Sequence, residues 1–206
     1  MRYSLAAVGI GLVFGVRLAC AAVPEDPTQV EPIAVGASAP AFVAREVNGK
    51  RFHFDPAGLK SPVLIIFYRG GWCPYCNQHL QDLHVVEPQI SDLGYQVLFL
   101  STDRPALLYA SLKEKVKYHI LSDASMNAAR AFGVAYRLDA KTLQYLKSEG
   151  IDLEATQGTK THELPVPSVF IVDRSGIVRF RHFNADFKVR VDAASVLTAA
   201  RNAQKP

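Results

Sequence analysis

The chain has 206 residues, 49% hydrophobic and 20% charged, with a formal net charge of +4. That length holds one domain with appendages and a core large enough to stand unaided, while three cysteines are too few for a disulfide-stapled scaffold. Basic residues are scattered among acidic ones, with no Lys/Arg block and no stripe of basic and aromatic residues, which argues against nucleic acid as a partner.

At the start, Arg2 precedes an apolar run from Leu5 to Val16 followed by small residues, the layout of a secretory signal peptide. Ala19 and Ala21 supply the small-x-small pattern, so residues 1–21 are expected to be removed ahead of Ala22. The apolar run is shorter than the ~20 residues a membrane span needs, so no stable membrane insertion is expected after cleavage. Lipid anchoring at Cys20 is disfavoured, because Arg17 stands three places earlier where that signal wants an apolar residue. The expected localisation is export, to the periplasm. Only Cys73 and Cys76 would then remain, in a compartment where disulfides persist.

Residues 22–35 are rich in proline and acid without periodicity and read as a flexible linker, leaving 36–206 as the domain. Two short extended runs flank Asn48-Gly49, a hairpin signal. Residues 62–69 are apolar and rich in β-branched side chains, which predicts a central strand buried on both faces. Leu80, Leu83, Val86 and Ile90 then recur at helical spacing over 74–93, with Pro88 expected to kink or break the helix. Strands are predicted at 96–102 and 119–123 and helices at 105–116 and 126–134. Residues 138–161 read as a helical insertion, followed by strands at 166–173 and 177–183 and a closing helix at 191–202. Strands alternating with helices predict an α/β domain, a central mixed β-sheet flanked by helices on both faces.

The chemistry concentrates at Cys73 and Cys76. Cys73 follows the central strand, and Pro74 suits the first position of a helix, where its missing N–H costs nothing. A cysteine at a helix N-terminus meets unpaired N–H groups and the positive end of the dipole, which lower its pKa from ~8.5 into the range ~3.5–7.5. Cys76 lies one turn on, on the same face and within disulfide reach. Such a pair attacks a disulfide with one sulfur and resolves the mixed disulfide with the other. Three rival readings stand beside this one. Zinc would need ligands beyond this single pair and His79. Covalent haem wants His where Asn77 stands. The pair could also be two inert buried cysteines.

No metal site and no cofactor beyond the redox-active disulfide is expected. Arg69 reads as a thiolate stabiliser, a binder of substrate carboxylate or a solvated turn charge. Trp72 is expected to pack beside the loop and Tyr75 to shape it, while His79 and His84 read as helix-surface residues.

The stretch WCPYC after an apolar strand resembles the thioredoxin superfamily, with an inner Pro74-Tyr75 like that of glutaredoxins. Together VGASAPAF, FYRGGWCPYC, DASMNAARAFGVAY and PVPSVFIVDRSGIVRFRHFNADFKVR resemble a peroxiredoxin-like branch of the alkyl hydroperoxide reductase/thiol-specific antioxidant group, from about Gly36 to Ala200. The resemblance implies a thioredoxin-like fold. Laid on thioredoxin, Cys73 is the exposed nucleophile, Cys76 the resolving thiol, and Val166-Pro167 matches the cis-proline loop that holds substrate backbone. Thioredoxin's buried acid has no counterpart, since Phe67 fills its place. Laid on peroxiredoxins, Cys76 takes the place of the peroxide-attacking cysteine and Cys73 that of a Thr or Ser. Arg69 replaces their shielding proline, and LPVPSVF lacks the arginine that helps polarise the peroxide O–O bond.

The signal-peptide layout and the resemblance together imply an exported thiol-disulfide oxidoreductase with antioxidant character. One alternative is a thiol peroxidase, with Cys76 attacking a hydroperoxide and Cys73 condensing with the sulfenate. Another is a non-enzymatic copper-binding protein using both sulfurs with His162 or His182. The implied partners are a protein or small-molecule disulfide or hydroperoxide as substrate and an electron-donor thiol protein.

Overall fold

The computed structural model describes residues 22–111 and 119–204. The expected signal peptide, with Cys20, and the end of the helix expected over 105–116 lie outside the described residues. A hairpin comes first, β1 (Phe42–Glu46) with β2 (Arg51–Phe54). The chain continues through β3 (Val63–Tyr68), α1 (Pro74–Asp92), β4 (Gln96–Ser101), α2 (Pro105–Ser111), β5 (His119–Ser122), α3 (Asn127–Ala131) and β6 (Ala135–Arg137). Last come α4 (Ala140–Ser148), α5 (Leu153–Gln157), β7 (Glu163–Pro165), β8 (Ser168–Val172), β9 (Val178–Phe183) and α6 (Ala193–Asn202).

Seven strands form one sheet in the order β2-β1-β5-β4-β3-β8-β9. Strands β3, β4 and β5 run parallel, whereas β8 is antiparallel to β3 and β1 to β5, so the sheet is mixed. Every residue of β3 is buried, as its unbroken apolar run requires. Ile65 and Phe67 face one core with Leu98, Leu100, Phe132 and Phe170. Leu64 and Ile66 face the other, where Leu83, Val86 and Ile90 of α1 meet Val196, Leu197 and Ala200 of α6. Each large side chain so buried contributes about 1.5–3 kcal/mol. The fold is therefore α/β with a central mixed sheet between helices, as the residue pattern predicts.

Three local expectations change. Helix α1 runs unbroken through Pro88, because Leu83, Val86 and Ile90 anchor both halves on the sheet. The region 138–161 does hold two helices, and it is framed by an antiparallel pair, β6 with β7, of three residues each; strands so short show no alternation to detect. Residues 22–35 lie against the domain instead of forming a free linker. Val30 is buried with Leu138, Leu146 and Leu164, the Ile33 N–H donates to the Phe132 carbonyl at 3.1 Å, and the Arg137 N–H donates to the Pro24 carbonyl at 2.8 Å. Gly133 permits this approach: at φ 69° its Cα faces the strap so closely that a Cβ would sit 2.1 Å from the Glu31 carbonyl oxygen. Single apolar residues in a polar segment give no periodic signal, yet each can fill a notch.

Register decides where the loops emerge. Tyr68 pairs with Ser101 and Phe67 with Ser168, so the segments 69–73, 102–104 and 166–167 meet at one end of the sheet, outside the carboxyl ends of β3 and β4, where open α/β sheets bind ligands.

Candidate active site

Cys73 is the N-cap of α1 and Pro74 its first residue, as the residue order predicts. The Cys73 carbonyl accepts from the N–H groups of Cys76 and Asn77 at 3.1 and 3.0 Å. Two contacts from the end of β4 pin the preceding loop: the Gly71 N–H donates to the Asp103 carboxylate at 2.6 Å, and the Thr102 hydroxyl donates to the Arg69 carbonyl at 2.6 Å. Gly70, at φ 148°, has room for no side chain, since a Cβ would lie 2.3 Å from Trp72 Nε1.

Both thiols are reduced and only 1% exposed. Their environments separate them. The Cys73 pKa falls to about 6, first because the Cys76 thiol donates a hydrogen bond to its sulfur. Burial opposes the fall, while the Cys76 N–H and the positive fields of Arg69 and Arg190 add to it. Cys76 is pushed up, first because that hydrogen bond holds its proton, then by burial and by the neighbouring thiolate. Near neutral pH the pair therefore carries one proton, on Cys76.

Around the sulfurs stand groups from their own loop and from two distant parts of the chain. The Arg69 guanidinium is buried, stacked 4.9 Å from the centre of the Trp72 ring and 4.2 Å from that of Phe187. Phe187 in turn packs edge-on against Tyr75 at 5.7 Å. Arg190 directs Nη2 to the Cys76 Sγ at 3.7 Å. From β6, the buried Tyr136 lies in the same field: its phenol pKa is raised by burial, with Arg69 opposing and both cysteines adding to the rise.

The structure thus gathers Cys73, Cys76, Arg69, Trp72, Pro74 and Tyr75 into one site, and corrects several expectations. Cys73 is buried, not exposed, and the loop between β9 and α6 brings Phe187 to Arg69 and Tyr75 and Arg190 to the Cys76 sulfur. Val166 and Pro167 lie at this same end of the sheet. Among the described residues no peptide bond is cis. The Val166 N–H donates to the Val134 carbonyl at 2.8 Å, and its carbonyl accepts from the Ser168 hydroxyl at 2.6 Å.

His79 is buried, not on the helix surface. Its Nε2–H donates to the Val191 carbonyl at 3.1 Å, and burial, then Arg190, lowers its pKa to about 4. His182 is also lowered, by burial and then Arg190. His162 pairs with Glu154 at 2.8 Å, and among the described residues no group of three or more His, Cys, Asp or Glu side chains is arranged to hold a metal ion. Arg190, Phe187, Tyr136 and Asp103 received no role from the residue pattern. Tyr136, Phe187 and Arg190 lie in stretches that carry the family resemblance, and Asp103 lies in none of them.

A mixed sheet between helices, carrying a dithiol at a helix N-terminus, defines a thiol-dependent oxidoreductase. The sequence profile of the AhpC/TSA family matches residues 35–181, and the chain belongs to that family. It is similar to the thiol:disulfide interchange protein DsbE of Yersinia pestis, 23% identical over 181 residues, 83% of this chain and 76% of that protein. It is also similar to the thiol-disulfide oxidoreductase ResA of Bacillus thuringiensis subsp. konkukian, 20% identical over 138 residues, 66% of this chain and 77% of that one. Among solved structures, peroxidoxin BcpB from Mycobacterium tuberculosis superposes with a TM-score of 0.60 at 18% identity, covering 84% of this chain and 99% of that one. AhpC from Enterococcus faecalis gives 0.60 at 18%, covering 82% and 92%; at such identity the likeness is one of fold. Among the described residues no helix is long and apolar enough to cross a membrane.

Proposed function

We propose that this protein is an exported thiol-disulfide oxidoreductase with antioxidant character, in which Cys73 attacks and Cys76 resolves. The observation that carries the reading is a dithiol at the head of α1, with Cys73 as its N-cap, Cys76 in its first turn and Arg190 Nη2 3.7 Å from the Cys76 sulfur. The Cys73 thiolate forms a bond to one sulfur of a substrate disulfide, whose S–S bond breaks, and the other sulfur leaves with the electron pair. That leaving thiolate takes up a proton, and Cys76 gives up its own. The Cys76 thiolate then attacks the Cys73 sulfur and releases the second substrate thiolate. The substrate gains two electrons, the dithiol becomes a disulfide, and an electron-donor thiol protein restores it. The redox-active disulfide is the only cofactor this cycle needs. Arg69 and Arg190 hold the thiolate, and Trp72, Pro74 and Tyr75 shape the loop. Export rests on the layout of residues 1–21, and the choice of disulfide chemistry accords with the names of the DsbE and ResA relatives.

The peroxidase alternative has Cys76 as the attacking sulfur, a thiol that the hydrogen bond to Cys73, then burial, pushes toward its protonated form. The test is direct. Cys73→Ser is expected to abolish reduction of a small disulfide, and Cys76→Ser to accumulate mixed disulfide visible by mass spectrometry. Alkylation of Cys73 should rise with pH to a plateau, with a midpoint near 6. Peroxide consumption that survives Cys73→Ser, with dimedone labelling at Cys76, would replace this reading with the peroxidase.

A further inference from the structure

The charges around the dithiol do not balance. Arg69 and Arg190 both act on the pair, and among the described residues neither forms an ion pair with a carboxylate, since the ion pairs there involve Arg130, Arg137, His162 and Arg179. Asp103 accepts at one carboxylate oxygen from the Gly71 N–H and the Ser101 hydroxyl, while its other oxygen is buried without a partner; Asp186 accepts from the Lys188 N–H, and Asp192 accepts from the Ser195 N–H and hydroxyl. His79 and His182 are held neutral by burial. The Cys73 thiolate offsets one guanidinium and leaves the other.

A second observation is independent of that count. Arg69 is 5% exposed, yet its Nε has no hydrogen-bond partner, and neither has the buried Trp72 Nε1 beside it. Buried cations and N–H donors are normally satisfied, because an unpaired one bears its desolvation penalty without compensation. An anionic acceptor would satisfy them. Size is limited too: both sulfurs are covered, and the Val166 backbone, which could have held an extended polypeptide, is bonded internally.

We propose that Arg69 and Arg190 form an anion subsite beside the dithiol, and that the preferred substrate is a small disulfide bearing a carboxylate. This rests on the thiol-disulfide reading above. The carboxylate seats between the guanidiniums and places the substrate S–S bond against Cys73. When the pair closes to a disulfide its thiolate charge is lost, both guanidiniums stand uncompensated, and the same subsite draws in an anionic thiolate reductant.

The test uses three disulfides of similar size and different charge: 3,3′-dithiodipropionate (anionic), 2-hydroxyethyl disulfide (neutral) and cystamine (cationic). Each kcat/KM is divided by the rate constant for the same disulfide with free dithiothreitol. In the intact protein at low salt the anion is expected to exceed the neutral disulfide by about 10-fold and cystamine to be slowest, with the ordering compressed as salt rises. Arg190→Gln should pull the anion-to-neutral ratio toward 1, and Arg190→Lys should restore most of it. A flat normalised order in the unmodified protein, with all three reduced, overturns the subsite and leaves the oxidoreductase reading standing. Reduction of none of the three overturns that reading and the subsite with it. The unmodified series decides the matter even where a variant fails to fold.

Discussion

Two arginine pairs in this molecule are handled in opposite ways. Arg130 and Arg137 converge from α3 and β6 on the Glu163 carboxylate, at 2.8 and 3.0 Å, and that side chain is fully buried. Gln157 adds a bond to the Glu163 carbonyl at 2.8 Å, tying α5 to β7. Arg69 and Arg190 converge on two sulfurs and meet no carboxylate. Burying a charge without a partner is costly, so the first arrangement fastens elements together, while the second keeps a cationic site ready for a group that arrives from outside. The contrast separates a structural use of arginine from a chemical one.

That contrast can be tested through stability. At neutral pH the largest effect is expected at the satisfied pair: Glu163→Gln removes the charge that two arginines share and should cost about 2 kcal/mol in denaturant unfolding, less than the loss for a fully buried partner, because both guanidiniums can turn to water. Next comes His79, beside the sulfurs. Its pKa is about 4 in the folded chain and about 6.5 unfolded, so the unfolded state takes up its proton first. Stability is fully present above pH 6.5 and is lost as the pH falls toward 4. His79→Gln should flatten that part of the profile, by on the order of 3 kcal/mol at the acid end. The smallest effect is expected at Arg190→Gln, within about 0.5 kcal/mol at neutral pH, because no carboxylate pair is broken and Arg69 still acts on the thiolate. A large loss there would place Arg190 with the structural arginines.

Much of the architecture was legible because it is encoded locally. Continuous apolar residues from Val63 to Tyr68 specify a buried strand, and Leu83, Val86 and Ile90 specify the inner face of α1. Pro74 marks the helix start that puts Cys73 at its head. The docking of Val30 and Ile33 was invisible, since isolated apolar residues make no pattern, and so were β6 and β7, at three residues each. His79 was misjudged because its position on α1 says nothing of Val191, which covers it from the far end of the chain.

By itself the sequence determined the helix N-terminus, the spacing of the two sulfurs and the sheet that presents them, since dipole, backbone donors and hydrophobic period all act within a few residues. Only the tertiary structure decided how deeply both sulfurs are buried and which cations reach them. Those quantities depend on desolvation and on charge through space, and Arg190 meets Cys76 across 114 residues of chain.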